Sequence, residues 1–465
     1  MNSTPDSVPT DSKSSTLPLL LACGLAQMVV VIDYMAAAVA LPRMAESFGV
    51  SADSLQWVIT GYILSFSAVL GIAGPLGDRY GRKKLLLVGI VLFGGVSIWV
   101  GLANSATMVI IARIFLGIGG GLLFPLSTAV VSASATRENL PRTILILTGI
   151  GTIGMAIGPV VGGIFTEELS WRWVFFINLP IAVVAFIAVT NCANESRDPE
   201  TKGGVDIAGI LLLVSGLALL AVGIAGIPHW PTAAWLTMTL VSLACLIAFI
   251  FVELRVKVPI IDLRMLGNRT FAGYLVGGTL SNSCWCLLIF ATTMYLQKVV
   301  KDDAMSTGFI FLFMSASVAT ASFIGPMVQR KLGTRRLLLV ALVIQTLVCV
   351  AFWINHAQPW LSIALLCAGF GCAWGWSMSQ AGGIMTLPPN KVGLAAGTML
   401  TVMIMVGNLA VVVSATLIEA LGGSADTINY EPGVSATYVF GIGIVVVGFI
   451  ATLLIVPATA PVHTD

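Results

Sequence analysis

Charged residues are scarce in this chain. Asp, Glu, Lys and Arg make up 9% of 465 residues, against 57% hydrophobic, and mean hydropathy is +0.99. Soluble domains carry about 25% charged residues, so the composition excludes a soluble globular protein. It predicts an all-α polytopic membrane protein whose solvent is the lipid bilayer. The net charge of +2 gives no basis for binding nucleic acid. Histidine is rarer still: His229, His356 and His463 fall in predicted loops or the tail, which argues against a histidine proton relay within the membrane. The eight cysteines form no C-x-x-C pair and mostly lie in apolar runs, where a free thiol behaves as a small hydrophobe. No disulfide framework and no metal site are expected. No Walker loop, nucleophile elbow or dinucleotide fingerprint occurs, so neither ATP drive, a cofactor nor an enzymatic activity is expected.

Long apolar runs, in contrast, are abundant. A spanning helix needs about 20 mostly apolar residues. Fourteen stretches qualify: 17–41, 54–75, 84–103, 106–131, 142–166, 173–192, 206–227, 233–252, 271–294, 304–327, 336–355, 360–386, 393–418 and 435–457. The first is too long for the apolar region of a signal peptide and is interrupted by an acid. The expected organisation is a disordered tail (1–16), a six-helix half (17–192), a central linker (193–270), a second six-helix half (271–457) and a short tail (458–465). The linker holds two extra spans at about 206–252. The basic residues test this map by the positive-inside rule. With a cytoplasmic N-terminus, eighteen Lys and Arg fall on the cytoplasmic side, four on the other, and Arg113 inside a span. Both termini are therefore expected in the cytoplasm.

Two echoes at nearly one spacing suggest duplicated halves. Gly74-Pro75-Leu76-Gly77-Asp78-Arg79 is answered by Gly325-Pro326-Met327-Val328-Gln329-Arg330, and Gly117-Ile118-Gly119 by Gly369-Phe370-Gly371. Repeated halves with a site at their interface are the architecture of secondary transporters.

The first run, Leu17–Pro42, contains Asp33, the one acid well inside a predicted span. A carboxylate at mid-span costs roughly 2.5–3.5 kcal/mol on insertion scales. Three readings are open. Asp33 could carry a proton, since desolvation favours the neutral acid and a nearby cation favours its loss. It could pair directly with a positively charged lipophilic substrate. It could be a structural partner of Arg113, the lone basic residue deep in a span, which acts as a fixed charge. For its part, Arg113 could couple protonation to helix movement, or could be a snorkelling or purely structural residue. Other polar or aromatic residues inside spans are weaker candidates for a substrate pocket, notably Tyr34, Tyr62, Trp374, Trp376 and Gln380. Aromatic faces attract organic cations by roughly 0.5–2 kcal/mol, and seventeen methionines offer adaptable walls.

Two further stretches carry spacing information. In Gly74–Lys84 the glycines permit a tight reversal between helices, and Asp78 can accept hydrogen bonds at a neighbouring helix end. Gly151, Gly154, Gly158 and Gly162 share one helix face, where small residues permit close approach, and Pro159 eases bending. Plain tight packing and a hinge or seal are both compatible with that face.

The 74–84 spacing of Gly74, Asp78, Arg79, Gly81 and Arg82 resembles the signature loop of the major facilitator superfamily. Arg113 with Gly117 and Gly119 resembles its fourth-helix motif. Gly154 to Gly163, with Gly158, Pro159 and Gly162, is similar to the fifth-helix motif of its antiporters. Trp171-Arg172-Trp173-Val174-Phe175-Phe176-Ile177-Asn178-Leu179-Pro180 resembles the stretch opening the sixth helix of the fourteen-span drug:proton antiporters, and Asp33 with Ala40-Leu41-Pro42 their first-helix motif. Tyr34 and Met35 replace that motif's small hydroxyl residues, and Gln329 replaces the Asp of the repeated loop. The chain is identified as a member of this QacA- and EmrB-like group. The resemblance implies a major facilitator fold with two central extra helices. It also implies proton-coupled efflux of hydrophobic, mainly cationic, drugs or toxic small molecules across the cell (inner) membrane by a monomer. Asp33 and Arg113 would serve proton coupling, the 74–84 loop gating and the 154–163 helix sealing. One buried acid further predicts that monovalent cations are handled better than dications. Three rival readings remain: a dedicated exporter of one endogenous metabolite, a non-transporting membrane receptor on a transporter fold, and a proton-symporting importer, which the fifth-helix resemblance disfavours.

Overall fold

A computed structural model describes residues 16–50, 55, 57–135, 140–197, 206–256, 259, 261–302, 304–355, 360–387, 392–422 and 430–457. Residues 1–15 and 458–465, and with them nearly all of the two expected tails, lie outside the described residues. The described chain is helical throughout. In order the helices are α1 (Thr16–Phe48), α2 (Trp57–Tyr80), α3 (Arg82–Gly101), α4 (Ala106–Ser134), α5 (Leu140–Ile164), α6 (Trp173–Phe176) and α7 (Asn178–Cys192). They continue with α8 (Ile207–Ala225), α9 (Thr232–Glu253), α10 (Arg269–Met294), α11 (Ala304–Leu332), α12 (Thr334–Ile354), α13 (Trp360–Met385), α14 (Val392–Leu421) and α15 (Glu431–Ile455). Among the described residues, twelve helical stretches are long and apolar enough to cross a membrane; α6 and α7 together make one of them. Counting α2, bent by 50° between Trp57–Leu70 and Ile72–Tyr80, as one span makes thirteen. The remaining stretch expected to span is α5, a 25-residue helix. The chain is thus a multi-pass, all-α membrane protein.

These helices are apolar on every side, as segments in lipid must be. Val88, Val91, Ile187, Leu347 and Trp353 point outward, where tails rather than water would cover them. Hydroxyls inside the helices bond back to carbonyls of the preceding turn, as Ser127 does to Leu123 O at 2.7 Å and Ser414 to Ala410 O at 2.7 Å. This satisfies polar groups that have no water to turn to.

Packing divides the helices into two cores. One is built from α1–α7, with Phe93, Leu116, Leu126 and Phe175 at its centre. The other comes from α10–α15, with Phe271, Leu338, Phe352 and Tyr438. The pair α8–α9 packs together, and a small third cluster (Leu213, Phe249, Ile261, Met405) reaches Ile72 on α2 and Val402 on α14. Ser242 fixes the pair by donating to Gly216 O at 2.7 Å. Between the two cores, α5 packs on α11 and α2 on α14.

The internal echo has a structural counterpart. A Cβ added at Gly117 would stand 3.0 Å from Phe66 N and closer still to Ser65 Oγ and Tyr62 O. One added at Gly369 would stand 3.0 Å from Val318 N and closer still to Ser317 Oγ and Met314 O. Every one of these positions is displaced by 252 residues. Gly81 and Gly333, at the same spacing, open α3 and α12 with φ of 108° and 80°, backbone that side-chain-bearing residues rarely adopt.

Candidate functional site

The stretch from Trp171 to Pro180 is what assembles the site. Trp171 Nε1 donates to Ser47 Oγ at 3.1 Å, near the end of α1, and its ring meets Phe48 edge-on. Arg172 Nη2 donates to Ala103 O at 3.0 Å, just past α3. With both neighbours pinned, the start of α7 lies between α1 and α3, and Asn178 faces inward with no exposed surface.

At the centre, Asp33 on α1 and Arg113 on α4 form an ion pair through Oδ2 and Nη1, and neither side chain has any exposed surface. Each partner is held elsewhere as well. Asn178 Nδ2 donates to Asp33 Oδ1 at 2.8 Å and to Ser97 Oγ at 3.1 Å. Arg113 Nε donates to Val58 O at 3.1 Å, and its guanidinium lies 4.1 Å above the Tyr62 ring. Tyr62 also stacks with Tyr34 and with Phe66, at 6.2 and 6.0 Å between ring centroids. Two charges so placed are together neutral. Removing one partner of such a buried pair costs about 3–5 kcal/mol, because the other is left uncompensated. A proton arriving on Asp33 has the same electrostatic consequence: it leaves Arg113 as a net positive charge with no exposed surface.

Of the candidates for a substrate pocket, Tyr34 and Tyr62 therefore flank the ion pair. Trp374, Trp376 and Gln380 lie on α13 in the other core. Trp374 Nε1 donates to Ala321 O on α11 at 3.0 Å and its ring meets Phe370, Trp376 packs on that core, and Gln380 is half-buried. None of the contacts described brings these three to Asp33.

The glycine face of α5 packs against the helix that holds Asp33. A Cβ at Gly154 would stand 2.7 Å from Met28 O, one at Gly158 2.5 Å from Met35 Cβ, and one at Gly162 2.8 Å from Ala36 Cα. Gly163 is buried beside them, and Pro159 lies within the helix. The small residues thus let α1 and α5 touch backbone to backbone on both sides of Asp33, while α5 also packs against α11 in the other core.

At the 74–84 loop, Asp78 accepts from Arg82 Nε at 2.7 Å, Gly74 is half-buried, and Arg79 is exposed with its guanidinium 5.3 Å from the Tyr80 ring. The helix-end N–H groups that the sequence offered to Asp78 go instead to Glu195. Lys83 N and Lys84 N donate to its two oxygens at 3.1 and 3.2 Å, and a side chain at Gly81 would collide with that carboxylate. Lys83 Nζ also donates to Thr190 O and Ala193 O at 2.8 and 2.7 Å. Glu195, Ser97 and Asn178 were not singled out from sequence. The one signal for Asn178 in the sequence is an amide that opens an apolar helix within the Trp171–Pro180 stretch.

Comparison with known proteins agrees with this architecture. The profile of the Major Facilitator Superfamily matches residues 23–317 and 274–465. Multidrug resistance protein 3 of Bacillus subtilis is 29% identical over 400 residues, 84% of this chain and 77% of that protein. Multidrug resistance protein Stp of Mycobacterium tuberculosis is 30% identical over 394 residues, 82% and 72% of the two chains. Cephamycin export protein CmcT of Amycolatopsis lactamdurans is 32% identical over 306 residues, 65% and 63%. Among solved structures, the human organic anion transporter MFSD10 (TETRAN) superposes with a TM-score of 0.66 at 16% identity, over 95% of this chain and 100% of that one, a likeness of fold. The chain belongs to the Major Facilitator Superfamily.

Proposed function

We propose that this member of the Major Facilitator Superfamily exports hydrophobic small molecules, drugs among them, across the cell (inner) membrane in exchange for protons. The observation that carries the reading is the Asp33–Arg113 pair, wholly buried and braced by Asn178. A carboxylate is tolerated in such a place when it has work to do there. The names of relatives as multidrug resistance and export proteins support the choice of export and of drugs as cargo.

In this reading the ionised Asp33 and Arg113 form a neutral unit. Protonation of Asp33 weakens the pair and leaves one positive charge. A monocationic substrate near the ionised pair also leaves one positive charge, so proton and substrate replace each other one for one. A dication leaves two, and is handled less well. Motion of α1 reaches the second core through the α5 glycine face and α11. The Asp78–Arg82 loop holds one end state, Tyr34 and Tyr62 border the cargo, and Trp374, Trp376 and Gln380 face it from α13. Counting α5 as a span gives the fourteen-span, QacA-like topology, with two six-helix halves, α8–α9 as the added pair and both termini cytoplasmic; the unit is a monomer. A second reading, a dedicated exporter of one compound, is favoured by the relative named for cephamycin export. A panel of dyes and biocides separates the two: a dedicated exporter moves none of them.

The test is dye efflux from proteoliposomes under an imposed pH gradient, native against Asp33→Asn at matched insertion. Loss of gradient-driven efflux is expected, and native-level efflux by the variant would refute the proposal.

A further inference from the structure

The two oxygens of Asp33 have separate partners. Oδ2 faces Arg113, while Oδ1 accepts from Asn178 Nδ2 at 2.8 Å. The second hydrogen of that amide goes to Ser97 Oγ at 3.1 Å, and Asn178 Oδ1 has no hydrogen-bond partner among the described residues. Asp33, Asn178 and Ser97 are all buried. We infer that Asn178, backed by Ser97, is the positioning residue that allows Asp33 to change protonation state in place; this deepens, and rests on, the reading of Asp33 as the proton carrier.

The chemistry lies in what each group can donate and accept. A side-chain amide has a donor end and an acceptor end of nearly equal shape, and a serine hydroxyl can do either. With Asp33 ionised, the NH₂ end of Asn178 donates to the carboxylate and to Ser97, the arrangement observed. A proton is added to Oδ1, because Oδ2 faces the fixed charge and donors of Arg113. Oδ1 then becomes a donor and meets an N–H head-on. Half a turn of the amide puts Asn178 Oδ1 in that place, where its two lone pairs accept from the new O–H and from the rotated Ser97 hydroxyl. The contacts joining Asp33, Asn178 and Ser97 are thus made in both states with no backbone movement, while the far end of the amide, whose oxygen has no partner in the observed state, then carries the NH₂. A leucine of similar size at 178 serves neither.

The experiment uses the full chain in proteoliposomes and compares native, Asn178→Leu, Ser97→Ala, their double variant and Asp33→Asn. Efflux of ethidium, a lipophilic monocation, is followed across pH under a fixed pH gradient. In parallel, infrared difference spectra follow the carboxylic-acid band that Asp33→Asn removes. Asn178→Leu is expected to move the pH midpoint of transport and of the band upward by about one unit, because the charge-assisted bond to the ionised form is the stronger one lost. Ser97→Ala moves both less in the same direction, and the double variant no further than Asn178→Leu, since Ser97 acts through Asn178. A folded Asn178→Leu with native midpoints, or additive shifts in the double variant, overturns the inference. If Asn178→Leu does not insert, unchanged midpoints in Ser97→Ala overturn it. Native-level efflux by Asp33→Asn would instead remove the proton-carrier reading beneath it.

Discussion

Counted 252 residues apart, Gly117 on α4 and Gly369 on α13 face corresponding backbone and hydroxyl atoms, yet Arg113 near the first is matched by Leu365 near the second. The same count from Asp33 arrives at Trp285. Both helices need glycine where a neighbour's backbone passes, so the scaffold repeats. The charge does not. Among the described contacts, the interior of the second core is bonded through neutral groups: Asn282 Nδ2 to Met403 O at 2.8 Å, Gln345 Nε2 to Ser281 O at 3.3 Å, and Thr292 with Tyr438 at 3.2 Å. Among the described contacts, one core holds a buried ion pair and the other holds amide and hydroxyl bonds between neutral groups. An ion pair is sensitive to one proton because neutralising either member strands the other, whereas an amide–carbonyl bond has no comparable response.

The two cores differ most at Arg113, which is fully buried and paired with Asp33. Arg113→Leu leaves Asp33 uncompensated, and a loss of about 3–5 kcal/mol is expected in thermal unfolding of the purified protein. Asp33→Asn/Arg113→Leu removes both charges and should recover part of that loss; an equal deficit in the double variant would mean that packing, not charge, sets the effect. The shared scaffold is sharpened next. Gly117→Ala and Gly369→Ala each press a methyl group into the same crowded neighbourhood, and each should destabilise by about 1–3 kcal/mol. Closely similar melting shifts are expected, and a much larger shift at only one site would argue against a common architecture. Smaller still is Gln345→Leu, which removes a neutral amide and should cost about 1 kcal/mol while leaving the pH profile of transport unchanged. Smallest is Asp78→Asn, which breaks an ion pair about a quarter exposed. Such pairs contribute about 0–1 kcal/mol, so the melting temperature should barely move, and any large loss of transport would then reflect gating rather than folding.

Much of this was legible in the chain. Apolar runs of about 20 residues located the helices because a lone segment of that length in lipid satisfies its backbone internally as a helix. Asp33 and Arg113 stood out because charge is so rare here, and their pairing was already one of the open readings. Helical periodicity put Gly154, Gly158 and Gly162 on one face, but not the identity of the helix they touch. The partner roles of Asn178, Ser97 and Glu195 were not legible. Each acts across 80 residues or more of chain, on Asp33, through Asn178 on Asp33, and on Lys83, and polar residues near helix ends are too common to mark a site. The rotation of a helix about its axis depends on its neighbours rather than on its own hydropathy, and for that reason Trp374, Trp376 and Gln380 could be named together with Tyr34 although they sit in the other core.

We propose that proton and cationic substrate compete through Asp33. It is tested most directly by adding ethidium to the purified protein in weakly buffered detergent solution, across a pH series, and recording the protons released. Native protein should release up to about one proton per ethidium bound where Asp33 is protonated, and Asp33→Asn none. Equal release by the two proteins would contradict the account and move the coupling to another group.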